Sequence, residues 1–400
     1  MAMQRIEPGE LPTRAEVLAK LFSKWSAPIR TERVRTEDAL YRILAADVFS
    51  LCDKPVFRGS RMDGVAVKSE MFKDGVPDAS EWKLGTDYVR ADTGDDFDDA
   101  FDAVIAVEDL EFLPNGGLKF NNDLEPVTAG AEIANRGDSI ARDMLLCEKG
   151  TRLLAVDLAA IAMGAVSEIE VYKKPVAAFI PTGSELIPLG QLPKRGETVC
   201  SNSILAKCML EEMGAVGLTF DPVADNPKEL SAALDKALSE ADVVILSAGT
   251  SKGSEDYCHT LLAERGELIF HGVASAPGRP MAGAIVDGKP VINVAGPPTA
   301  CFNGLEWCVK AVVCKFCEQN PLKRHTVLAT LSGDIHSGGV GFESFVRLKL
   351  EKTDSGYIAH PMPHRATRTP DSIRAEGLYI TKLEPEAQSK GDVIEVELLR

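Results

Sequence analysis

Residues 241–257 constrain the fold of this chain more than any other stretch. They read Ala-Asp-Val-Val-Ile-Leu-Ser-Ala-Gly-Thr-Ser-Lys-Gly-Ser-Glu-Asp-Tyr. Val243 to Leu246 is short, apolar and β-branched, the pattern of a strand buried on both faces of a parallel sheet. A loop of small residues, Ser247 to Gly253, follows, and a helical pattern starts near Ser254 and carries Leu261 and Leu262. A strand that runs through a glycine loop into a helix start suits phosphate: the glycines let backbone approach, and the first helical N–H groups have no internal partner. Lys252 adds a cation and Asp256 a hard oxygen ligand. An ordinary βα loop with a solvated lysine satisfies the same pattern, so the surrounding chain has to decide.

That surrounding chain has the same rhythm. Val176–Ile180 reads as a strand before Pro181-Thr-Gly-Ser-Glu-Leu186, and Ser201–Met213 as a helix with Ser201 as its N-cap. Leu218–Phe220 reads as a strand before Val223-Ala-Asp-Asn226, Pro227–Leu238 as a helix and Val291–Val294 as another strand. Strand and helix alternating at this spacing predict a doubly wound parallel α/β sheet over 173–318, whose ligands bind beyond the carboxyl ends of the strands. Glu185, Asp225 and Asp256 each follow one of these strands. Each alone reads as a surface acid; three at one edge suit magnesium and a phosphate-bearing ligand. Pro277-Gly-Arg-Pro280 is a turn in which Arg279 is a candidate anion clamp, and Pro297-Pro298 opens a helix running to about Lys315.

The flanking segments differ. Residues 14–29 have helical periodicity, and Thr36 to Ala46 reads as a second short helix. Asp63-Gly64 marks a tight turn, and turn chemistry alone accounts for Asp63. Residues 65–125 are β-rich and contain Thr93-Gly94 and an acidic run (Asp95, Asp96, Asp98, Asp99) that reads as a solvated loop. The β-rich 126–172, with a helix at Val156–Met163, could pack back on the N-terminal helices. The expected domains are therefore 1–52 with 126–172, an inserted 53–125, the α/β domain 173–318 and a β domain 319–400. Arg365 and Arg368 lie in a basic loop near His360, which reads either as mobile surface or as a cationic face for an anion.

Lys and Arg number 44 against 60 Asp and Glu, a net charge of −16, which disfavours general binding to nucleic acid or to anionic membranes. No apolar run is long enough to cross a bilayer, and the N-terminus has no apolar signal core, so a cytoplasmic protein is expected. Nine cysteines are scattered. Cys314-Lys-Phe-Cys317 lacks a second pair at zinc spacing and shares one face of an apolar helix, a structural arrangement.

Together these segments resemble the molybdopterin molybdenumtransferase family, that is MoeA and the E domain of gephyrin. The resemblance rests on Ser60-Arg-Met-Asp-Gly-Val-Ala-Val67, Thr93-Gly94 with Asp102-Ala-Val-Ile and Glu108, and Thr182-Gly-Ser-Glu-Leu186. It continues through Ser201-Asn202, Ser247-Ala-Gly-Thr-Ser-Lys-Gly253 with Asp256, Pro277-Gly-Arg-Pro280 and Val346-Arg347. It spans nearly the whole chain in order. It implies insertion of molybdenum from molybdate into adenylylated molybdopterin, with magnesium and release of AMP. It also implies an elongated homodimer whose active cleft is shared between subunits. On that template Asp63 and Thr93 reach across the dimer, while Glu185, Asp225 and Asp256 hold magnesium or position phosphates. The binding set it implies is Ser60, Thr182, Gly183, Ser201, Asn202, Gly249, Thr250, Ser251, Lys252, Gly253, Pro277, Gly278, Arg279, Pro298, Arg347, Arg365 and Arg368.

The chain departs from the family pattern at Ala276, where a lysine is usual, at Gly341-Phe342 in place of Gly-Arg, at Ala295-Gly-Pro-Pro298, at Val65 and at Cys200. Several departures remove cations near the oxyanion, and Arg365 or Arg368 is the expected replacement. A pterin-nucleotide carrier without turnover, a tungstate-preferring paralogue and a scaffold are the alternative readings.

Overall fold

A computed structural model describes residues 11–248, 254–335, 341–354, 356–363, 369–384 and 387–400, with backbone alone for Ala248, residues 254–257 and Thr369. The chain forms two units: residues up to Arg30 with Tyr172–Arg400, and Thr31–Val171.

The first unit is built on a six-stranded sheet. Its strands are β1 (Val176–Thr182), β2 (Val216–Thr219), β3 (Val243–Ala248), β4 (Glu267–His271), β5 (Ala282–Val286) and β6 (Lys289–Ala295), in the spatial order β2-β1-β3-β6-β5-β4. β2, β1, β3 and β6 are mutually parallel, as the sequence rhythm predicts. β5 and β4 are antiparallel, so the sheet is mixed where a purely parallel one was expected. The two-residue turn Asp287-Gly288 between β5 and β6 leaves no room for a crossover helix, which a parallel neighbour requires. Helices α1 (Asn202–Glu212), α2 (Pro227–Glu240), α3 (Ser254–Arg265) and α4 (Pro298–Gly304) connect or follow the parallel strands.

Residues alternate across the buried strands. Phe179, Ile245 and Ile292 join one core with Leu210, Cys301 and Leu305, while Ile180, Val244 and Val291 join another with Leu234 and Leu262. After α4 the helix widens into a π turn, Leu305–Val309, before α5 (Lys310–Lys315), so the single predicted helix is interrupted. Among the described residues the cysteines form no disulfide, and burial pushes the Cys314 thiol up, in keeping with a structural role.

The N-terminal helix Arg14–Lys24 starts with a capping box: Glu16 N–H donates to Thr13 Oγ1 at 3.1 Å, and Thr13 N–H donates to Glu16 Oε2 at 2.8 Å. Val17, Leu21 and Trp25 pack into the first core, with Trp25 5.6 Å from Phe316 between ring centroids. Residues 11–30 therefore pack with the α/β sheet.

The C-terminal strands β7 (Thr326–Leu331), β8 (Glu343–Thr353), β9 (Gly356–Pro361), β10 (Gly377–Ile380) and β11 (Val393–Leu398) pair in the cycle β8-β9-β7-β11-β10 and back to β8. Closing the cycle removes both sheet edges.

The second unit has separate cores. Val65, Val67, Tyr88, Ile105 and Leu118 form one; Leu44, Val48, Leu153, Ile161 and Val171 form another. The helix expected from Thr36 to Ala46 is a single 3-10 turn, Thr36–Asp38. Beyond it, Ile43 and Leu44 form bridges to Arg152 and Val171, so long-range pairing wins over local helical preference.

Candidate functional site

At the carboxyl ends of β1, β3 and β6 a cavity of about 310 Å³ opens, lined by Thr182, Glu185, Cys200, Ser201, Asn202, Ser247, Gly296 and Pro298 among others. It lies where α/β sheets bind ligands. Thr182 ends β1, and its buried hydroxyl donates to Ser247 O at 3.0 Å, tying two strand ends together. Asn202, the first residue of α1, donates from Nδ2 to Gly296 O at 2.7 Å, linking the helix start to the loop after β6. Its Oδ1 is buried and has no partner among the described residues. Ser201 occupies the N-cap position as the sequence predicts, but its side chain does not cap the helix. Cys301 lies fully buried, and desolvation pushes its thiol up to about 12, which keeps it protonated and unreactive.

The loops that carry two of the three expected carboxylates, Glu185 and Asp225, lie side by side. Gly183 N–H donates to Val223 O at 3.0 Å, which sets the loop after β1 beside the loop after β2. Asp225 then accepts from Ser184 N–H at 3.3 Å, and Asp225 N–H donates to Ser184 Oγ at 3.1 Å. The Glu185 carboxylate folds over Gly183, whose φ is +149° and where any Cβ would lie 2.8 Å from both carboxylate oxygens; only glycine permits this approach. Asp256 falls in the first turn of α3, but its side chain lies outside the description. Gly249, Thr250, Ser251, Lys252 and Gly253 lie outside the described residues, as do Arg365 and Arg368. Among the described residues no group of three or more His, Cys, Asp and Glu side chains could hold a metal ion.

A second cavity, about 280 Å³, is lined by Pro277, Thr299, Asp334, Phe345, Arg347 and Ser372 among others. Arg347 is only 6% exposed. Its guanidinium lies 4.2 Å from the centre of the Phe302 ring, and Nη2 donates to Asn303 Oδ1 at 2.8 Å. Nη1 is buried and has no partner among the described residues. Burial lowers the group to about 10, against which Glu306 acts by its charge, so it stays cationic at neutral pH. Glu306 itself pairs with Lys310 at 2.8 Å and Arg324 at 2.9 Å. Gly278, at φ +121°, turns the chain behind Pro277, while the Arg279 side chain is exposed.

In the second unit Asp63 and Thr93 meet. Asp63 Oδ1 accepts from both Thr93 N–H and Thr93 Oγ1, each at 2.7 Å, and these bonds hold its carboxyl below the ordinary range. Ser60 is buried, and its hydroxyl donates to Met62 O at 2.5 Å, shaping the turn that presents Asp63.

Sequence reasoning missed Phe302, Asn303, Asp334 and Ser372. The available signal was weak: Asn303 is an amide inside an otherwise apolar helical pattern, a position that needs a polar partner.

The fold and its strand-end cavity define an α/β protein that takes a ligand at its strand edge. Residues 178–315 match the model described as probable molybdopterin binding domain, and 13–164 match the MoeA N-terminal region (domain I and II). Between them the two matches cover most of the chain. It is 27% identical over 379 residues to a molybdopterin molybdenumtransferase of Staphylococcus aureus, covering 90% of this chain and 88% of the relative. It is 26% identical over 324 residues to that of Haemophilus influenzae, covering 78% and 79%. The crystal structure of the molybdopterin biosynthesis MoeA protein from Pyrococcus horikoshii superposes with a TM-score of 0.82 at 27% identity, covering 98% of this chain and 99% of that one.

Proposed function

We propose that this protein is an enzyme of molybdenum cofactor biosynthesis, a molybdopterin molybdenumtransferase that inserts molybdenum from molybdate into adenylylated molybdopterin and releases AMP. The observation that carries the reading is the pairing, within one unit, of a strand-end cavity in the molybdopterin-type domain with a second cavity walled by a buried, uncommitted cation.

The pterin nucleotide occupies the first cavity. Thr182, Ser201 and the amide oxygen of Asn202, unpaired among the described residues, supply polar contacts, and the N-terminus of α1 favours negative charge. Molybdate occupies the second. Arg347 retains an N–H donor there, and a cation held in a desolvated wall attracts an oxyanion more strongly than one in water.

Glu185 and Asp225, on adjacent loops, fit a magnesium ion that takes the rest of its shell from water and substrate phosphate rather than from a closed protein cage. Bound there, the ion would supply charge neutralisation for the phosphoanhydride, whose P–O bond between the two phosphates is cleaved by water to leave AMP and the pterin's own phosphate. We further propose a cytoplasmic homodimer in which Asp63 and Thr93 complete the cleft of the partner subunit. Their support is an exposed carboxylate held ionised and oriented by two hydrogen bonds. Among the described residues no helix is long and apolar enough to cross a membrane.

The test is AMP release from adenylylated molybdopterin. Release that requires both magnesium and molybdate is expected. Tight binding of the adenylylated pterin with no AMP formed under any condition would overturn the reading and leave a carrier.

A further inference from the structure

Arg347 is a cation whose direct contacts are neutral, although Asp334 lines the same cavity. It is 6% exposed, yet among the described residues it forms no ion pair. Its immediate partners are an aromatic face, Phe302 at 4.2 Å, and an amide oxygen, Asn303 Oδ1 at 2.8 Å. Glu306 is spent on Lys310 and Arg324. A buried guanidinium without a countercharge costs stability, so a fold that keeps one retains it for something that arrives.

Asn303 is itself fully buried, at 0% exposure. Both ends of its amide are used: Oδ1 accepts from Arg347 Nη2, and Nδ2 donates to Pro277 O at 3.0 Å. The second bond fixes the amide's direction, since the carbonyl of Pro277 accepts only from nitrogen. One side chain therefore ties together two walls of the same cavity, the turn at Pro277 and the strand that carries Arg347.

We infer that Asn303 is a positioning and specificity-determining residue of the oxyanion cavity: it holds the Arg347 guanidinium in place through a neutral acceptor, leaving its positive charge for a tetrahedral dianion. A carboxylate of the same shape would orient the guanidinium as well but would cancel that charge. An aliphatic residue would leave the charge but release the guanidinium. Only the amide does both. The inference rests on the oxyanion reading of this cavity given above.

The experiment is calorimetric titration of the full-length protein with sodium molybdate, alongside KM values for molybdate and for adenylylated molybdopterin. Asn303→Asp, an isosteric change that supplies Arg347 with a countercharge, is expected to keep its fold by circular dichroism. It should weaken molybdate binding about tenfold or more and raise the molybdate KM in step. The KM for the adenylylated pterin should stay within about twofold, a split that a general structural defect would not produce. Asn303→Ala, which removes both bonds without adding charge, should weaken molybdate binding by a smaller factor. Wild-type affinity for molybdate in folded Asn303→Asp overturns the role of Asn303, and if that variant fails to fold, unchanged affinity in Asn303→Ala does so. Absence of molybdate binding by the wild-type protein overturns the cavity's assignment and this inference with it.

Discussion

The two cavities of the α/β unit are close in size, about 310 and 280 Å³, but are held together in different ways. The strand-end cavity is local in origin. Its walls are the ends of β1 and β3, the loops after β1 and β6 and the segment that leads into α1, and its bonds are short and neutral: Thr182 to Ser247 O and Asn202 to Gly296 O. The second cavity is assembled from segments far apart in the chain, Pro277, Thr299, Asp334, Arg347 and Ser372, and depends on one buried charge. The difference teaches that removing one residue should degrade the first cavity gradually and disable the second abruptly.

Arg347→Ala breaks the comparison most directly. It should lower molybdate-dependent AMP release by about 10²–10³, the scale for losing one preorganised donor, while affinity for the adenylylated pterin holds. An equal loss of both would merge the two cavities into one functional site. Replacing Glu185 and Asp225 together by Gln and Asn should reduce magnesium-dependent turnover by about 10–100-fold and leave molybdate affinity unchanged, read from rate against magnesium concentration. Asn202→Leu removes a buried bond to Gly296 O and should cost about 1–2 kcal/mol in chemical denaturation. Turnover should fall only in proportion to pterin affinity.

The smallest effect concerns the second unit. Thr93→Val keeps the backbone donor to Asp63 and deletes the hydroxyl. The Asp63 carboxyl, now held below its ordinary range, should shift upward toward it. Because a depressed carboxylate acts above its ordinary pKa and fails as pH falls through the lowered value, the acid limb of activity should move to higher pH. Carboxyl-detected NMR titration of Asp63 checks the shift directly.

This division also explains what the sequence revealed. Strand ends, a helix start at Asn202 and the Glu185 and Asp225 loops follow from periodicity and from the rule that parallel sheets present ligands at their carboxyl edge. Motif order put Asp63 and Thr93 in one expected site, but their hydrogen bonds to each other, across thirty residues, were not foreseen. Nothing local could disclose Asn303, whose partners lie 26 and 44 residues away, or the return of β10 to β8. Residues 36–46 show the opposite failure, in which a good local helical pattern gave way to bridges with Arg152 and Val171.

Helix α4 has only seven residues, and Gly304 presses it so close to β6 that a Cβ there would lie 2.8 Å from Val294 Cγ1. Pro298 at its start lines one cavity, Thr299 the other, and Asn303 near its end sets the cation. Five residues of helix correspond to about 7 Å. A nucleotide-bearing substrate and an inorganic one would thus be moored on opposite flanks of a single thin, immovable partition, and whichever reaches across it has a travel distance the backbone has already decided.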